Sequence, residues 1–99
     1  MPMSEEQLIT ELINRIKSGR AGLVAQEARA RHLVETLKHA ADALERPEEA
    51  GAELLNKIVA EWPSGQDLKT LVVETRDNRA RLKKDEEDLE KFGVAVIRR

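Results

Sequence analysis

Apolar residues recur every seven positions along the first half of the chain, from Ile9 to Leu44. The positions between them in the same phase are Ile16, Leu23, Ala30 and Leu37. A stripe of this kind covers one side of a helix, so the chain must pack helix against helix to bury it. The pattern therefore predicts an all-α fold with a first helix from about residue 5 to 45.

Two glycines, Gly19 and Gly22, interrupt this pattern in the segment KSGRAG. Each glycine costs a helix about 1 kcal/mol relative to alanine. The heptad phase nevertheless continues through the segment without an insertion, and no proline forces a break. We predict one continuous helix with a candidate hinge at Gly19 and Gly22; a loop between two shorter helices is the alternative.

Proline and glycine divide the second half of the chain. Pro47 ends the first pattern and suits the first turn of a second helix, predicted over about 48–61. The segment WPSG that follows is the clearest non-helical signal in the chain, and it makes Pro63 and Gly65 candidate hinge residues. A third helix is predicted over about 66–92.

The predicted lengths indicate the architecture. The first helix is about as long as the next two together, which favours a long antiparallel hairpin with a broken return arm. A three-helix bundle bent at the glycines is the alternative. Either arrangement forms a single helical domain over residues 1–99. Because two helices cover an apolar stripe poorly, we predict self-association.

Polar residues interrupt the apolar seam of the third helix. Thr75, Asn78 and Asp85 occupy seam positions there. One interpretation is a helix that is only partly buried. The other is an interface in which Asn78 fixes the register of pairing. The candidate interface residues are Asn78, Leu82, Leu89, Phe92, Val94, Val96 and Ile97.

The last three of these residues belong to a short apolar tail, residues 93–99, after the helix stop at Gly93. The tail is β-prone but too short to build a sheet alone. It is predicted either to fold back against Phe92 or to add as a strand to a partner.

Charges in the third helix are segregated into two blocks. Residues 76–84 contain five basic side chains and one acidic one, whereas residues 85–90 contain five acidic side chains and no basic one. A solvated face with pairs four residues apart, such as Arg81 with Asp85, explains the pattern. Antiparallel docking of the blocks on another chain is the alternative.

The composition argues against several classes of function. The chain has 17 basic and 19 acidic side chains, a formal net charge of −2 and no cysteine. No overall field attracts nucleic acid, and the only aromatic residues are Trp62 and Phe92. His32 and His39 lie two helical turns apart, about 10 Å, which is too far to chelate one ion together. We predict no metal, no cofactor and no enzymatic activity.

The sequence thus favours a non-enzymatic protein–protein interaction module, such as an adaptor, chaperone or inhibitor. Its predicted partner is a second copy or another helical protein. A small nucleic-acid-associated regulatory protein is the alternative, although the charge balance disfavours nucleic acid. No apolar run approaches the roughly 18 residues that a membrane span needs, and we expect a cytoplasmic location.

Overall fold

The computed structural model describes residues 4–94, and this part of the chain forms three α-helices and one short 3₁₀ helix. Helix α1 spans Glu5–Glu45, α2 spans Ala52–Glu61 and α3 spans Gly65–Lys91. The 3₁₀ helix, Pro47–Glu49, lies between α1 and α2. The predicted all-α class is confirmed.

Helix α1 begins at a complete capping box. The Ser4 side chain accepts a hydrogen bond from the amide of Gln7 at 3.2 Å, and the amide of Ser4 donates to the Gln7 side chain at 2.9 Å. The helix then runs for 41 residues and stays helical at both Gly19 and Gly22. This is the continuous helix that the heptad phase predicts.

The two glycines lie on the side of α1 that packs against α3. A methyl group at Gly19 would lie 3.5 Å from Leu82 Cδ1, and one at Gly22 would lie 3.4 Å from Asn78 Nδ2. These are ordinary contact distances, the second at its lower limit. Alanine therefore fits at both positions, and a larger side chain at either would push α3 away.

Replacing Gly19 by alanine is expected to raise the free energy of unfolding by about 1 kcal/mol, because alanine restricts the unfolded chain and meets no clash. Gly22→Ala should stabilise less, since its methyl group lies closer to Asn78. Thermal unfolding followed by circular dichroism measures both changes. Gly93→Ala is the control: Gly93 has φ +78°, so alanine there should destabilise. A lower melting temperature for Gly19→Ala would contradict the geometry of this contact.

The predicted second helix begins later than expected. The prediction was about 48–61, but α2 starts at Ala52, and the chain before it forms the 3₁₀ helix. The reason is Gly51, which adopts an extended conformation with φ −79° and ψ 159° and serves as the N-cap. Glycine loses the most conformational entropy in a helix, so the first turn ends before it.

The return arm breaks between Trp62 and Ser64. Trp62 has ψ 124°, outside the helical region, because the ring of Pro63 disfavours a helical conformation in the residue before it. The Ser64 side chain then caps α3 by accepting from the amide of Asp67 at 3.0 Å. Pro63 is buried at this corner, and Gly65 is the first residue of α3.

Within residues 4–94, α2 and α3 each pack on α1, and no Cα atom of α2 comes within 8 Å of one in α3. The molecule is elongated, with dimensions of 66 × 25 × 17 Å. It is the long hairpin with a broken return arm, the first of the two predicted architectures. Two helices side by side form a single layer, and both broad sides of this layer are open.

The core lies between α1 and α3. Its buried cluster consists of Leu12, Ile16, Leu23, Leu82 and Leu89. Partly buried residues pack against this cluster at the open end of the hairpin: Ile9, Ile13, Phe92 and Val94. In the described part of the chain no side chain is completely enclosed. A single layer of helices leaves every core residue close to the surface.

Candidate functional site

Asn78, which the sequence marks as a possible register residue, lies between α1 and α3 of the same chain. Its side-chain amide donates to the carbonyl oxygen of Gly19 at 3.3 Å and to Gln26 Oε1 at 3.2 Å. The residue is half-buried. Its hydrogen bonds therefore join the two helices of the hairpin at one register.

Asp85 is the most buried charge on α3, with 3% of its surface exposed. Its carboxylate accepts from the Arg15 guanidinium of α1 at 2.7 Å. Sequence spacing pointed instead to Arg81, four residues earlier on the same helix. The tertiary structure decides otherwise, because Asp85 faces α1 and Arg81 faces solvent.

Two further ion pairs join α1 and α3. Arg20 lies 3.1 Å from Glu86, and Arg79 lies 3.7 Å from Glu27. Arginines of α1 thus partly neutralise the acidic residues 85–90 of α3.

The other predicted interface residues also pack within the chain. Leu82 and Leu89 are buried against α1, and Phe92 and Val94 pack on the same cluster. Val96 and Ile97 lie outside the described residues. Little surface of Leu82 or Leu89 is left for a second protein.

The contact between α1 and α2 defines a different surface. The less exposed positions on α2 are Leu54, Ile58 and Glu61. On α1 they are Leu33, Thr36, Ala40 and Ala43. The hydroxyl of Thr36 donates to Glu61 Oε2 at 3.4 Å across this contact. We call these seven residues the contact positions of the α1–α2 pair.

In an antiparallel helix pair, residues that follow the contact positions on both helices project from the same side of the layer, because each helix is right-handed. The α1–α3 pair shows this directly. Gln26 and Asn78 meet in the contact, and the residues that follow them, Glu27 and Arg79, form an ion pair with each other. The same rule therefore locates side chains on the α1–α2 pair.

On the α1–α2 pair, every residue that follows a contact position is apolar and exposed. We call this set the apolar face: Val34, Leu37, Ala41, Leu44, Leu55, Val59 and Trp62. Leu44 is 84% exposed, Val59 77% and Trp62 53%. Large apolar side chains are thus concentrated on one side of the turn end of the hairpin.

The opposite side of the same pair is polar. The residues that precede the contact positions are all exposed, and all except Ala60 are polar or charged. They form the polar face: His32, Glu35, His39, Asp42, Glu53, Lys57 and Ala60. The two-helix layer is therefore amphipathic as a whole, with an apolar side and a charged side.

The apolar face is uncovered because α2 does not follow the heptad stripe of α1. Under α3 the stripe is buried, as at Ile16 and Leu23. Further along, α2 covers Thr36 and Ala43 instead, each one position before the stripe residues Leu37 and Leu44. Leu37 and Leu44, which continue the stripe, are left exposed.

The other features of the described residues are histidines, ion pairs and a cleft. No group of three or more His, Asp or Glu side chains within residues 4–94 could hold a metal ion. His32 Nε2 lies 3.4 Å from Glu61 Oε2 at the α1–α2 contact. A cleft of about 510 Å³ beside Asn78 is lined by side chains of both charges, including Arg15, Asp77 and Asp85. No helix in the described part of the chain is long and apolar enough to cross a membrane.

The apolar face was not predicted as a site from the sequence. A signal was nevertheless present in the sequence. Four of the ten residues of α2 are large and apolar, and the C-cap Trp62 is a fifth, which is more apolar surface than contact with a single helix buries.

Comparison of the chain with models of known protein families, with curated proteins and with solved structures finds no match.

Proposed function

We propose that this protein is a non-enzymatic protein–protein interaction module that binds its partner through the apolar face. The observation that carries the proposal is the concentration of exposed Leu, Val and Trp side chains on one side of the α1–α2 layer. Scattered exposed apolar residues are ordinary on protein surfaces, whereas a contiguous patch marks an interaction site.

The shape of this surface favours a helical partner. Two antiparallel helices form a shallow groove between their ridges, and an amphipathic helix fits such a groove with its apolar side inward. Trp62 stands at one end of the apolar face, next to the α2–α3 corner. Tryptophan is among the residues most enriched in interaction hot spots. Adaptor, chaperone and inhibitor are all roles that such a surface serves.

Affinity capture from an extract of the source cells tests this proposal. The test variant combines Leu44→Glu with Val59→Glu, which places two carboxylates on the apolar face. The matched control combines His39→Glu with Ala60→Glu, which places the same two carboxylates on the polar face. All four residues are exposed, so both variants should keep the fold.

The expected result is that wild type and control capture the same proteins, identified by mass spectrometry, and that the apolar-face variant loses them. Equal capture by all three proteins would contradict the proposal. Capture of nucleic acid that weakens steeply with salt would favour a nucleic-acid-associated regulator instead. The predicted cytoplasmic location stays a prediction.

A further inference from the structure

We infer that the partner of the apolar face is a second copy of this chain, so that two hairpins dimerise through their turn ends. This inference rests on the proposed function and specifies the partner. Three observations support it: the area of the face, its uniform chemistry and its position on the apolar stripe of α1.

The area of the apolar face is close to what a dimer needs. Weighted by their exposed fractions, its six large side chains present on the order of 600 Å². A standard interface buries about 800 Å² on each partner. The apolar face together with a rim of neighbouring polar atoms reaches that value.

The chemistry of the apolar face is self-complementary. In a two-fold symmetric dimer the same patch of both copies meets itself, so any charge near its centre approaches a like charge. All seven residues of the apolar face are uncharged and apolar. Two such patches can therefore pair without burying an unpaired charge.

The apolar face lies in line with the interface between α1 and α3. Ile16 and Leu23 are buried by α3, and Leu37 and Leu44 extend the same heptad line beyond it. A helix layer from a second copy would cover this exposed end as α3 covers the other end. The result is a four-helix arrangement at the dimer centre, a stable solution for a thin helical layer.

Sedimentation velocity and Trp fluorescence together test the inference on the full chain. Trp62 is the only tryptophan and belongs to the apolar face, so its emission reports on this surface alone. Between low micromolar and near-millimolar concentration we expect the sedimentation coefficient to change from monomer to dimer. Over the same range the emission of Trp62 should move to shorter wavelength, and acrylamide should quench it less.

Single substitutions locate the interface. Leu44→Glu and Val59→Glu should each weaken the dimer by at least about tenfold, since each would bury a carboxylate without a partner. Ala60→Glu, on the polar face of α2, should leave the dissociation constant within about threefold of wild type. Circular dichroism confirms that each variant keeps its helix content.

A protein that stays monomeric throughout the concentration range would overturn the dimer. A dimer that leaves Trp62 emission unchanged, or that Leu44→Glu does not weaken, would also overturn it, because the copies would then meet elsewhere. These results differ from failure of the proposed function. A monomer whose apolar-face variant still loses a captured protein would retain the interaction module with a different partner.

Discussion

Leu89→Ala is expected to lower the free energy of unfolding by about 3 kcal/mol. Leu89 is 4% exposed and belongs to the cluster between α1 and α3. Truncation removes apolar contacts and leaves a cavity that helices fixed by Asn78 and the ion pairs close only in part. For a domain of this size, a loss of that magnitude is a large part of the total stability.

Chemical denaturation measures the loss, with Leu44→Ala as the matched control. The control makes the same chemical change in a helix, but at a residue that is 84% exposed. At a concentration where the protein is monomeric, it should change stability by less than about 0.5 kcal/mol. Equal losses for the two variants would mean that Leu89 is not part of the core.

The second large effect is expected at the ion pair between Arg15 and Asp85. Arg15→Ala should cost about 2 kcal/mol, because it leaves the buried Asp85 carboxylate without its guanidinium. The estimate lies below the range for fully buried pairs, since the Arg15 side chain is 51% exposed and water can reach part of the site. Asp85→Ala should cost a similar amount.

A double-mutant cycle separates this pair from other effects of the substitutions. The variant that lacks both side chains should be more stable than the sum of the single losses predicts, by about 1 kcal/mol or more. Arg81→Ala is the control, because sequence spacing alone makes Arg81 the partner of Asp85. It should change stability by less than about 0.5 kcal/mol. Coupling between Arg81 and Asp85, and none with Arg15, would contradict the observed pairing.

The sequence alone determined the three helices of the described residues, apart from the start of α2. The heptad stripe from Ile9 to Leu44 predicted α1 and its continuity through the glycines. Pro63 marked the break in the return arm. These features depend on the backbone and on neighbours within about four residues, which is the range over which capping, proline sterics and helix periodicity act. Gly51, inside the helix predicted over about 48–61, was the exception, because a glycine can start a helix as well as continue one.

Only the tertiary structure decided which sides of the helices meet. Asp85 pairs with Arg15, which lies 70 positions away in the chain. Leu44 is exposed, although it belongs to the same heptad stripe as the buried Leu23. The angle at which α2 lies around α1 depends on the corner at Pro63 and on the packing of both return helices against α1. A shift of α2 around α1 by one position would cover Leu37 and Leu44 and expose Thr36 and Ala43. Spacing along one helix contains no information about this angle, because it is set by contacts between segments far apart in the chain.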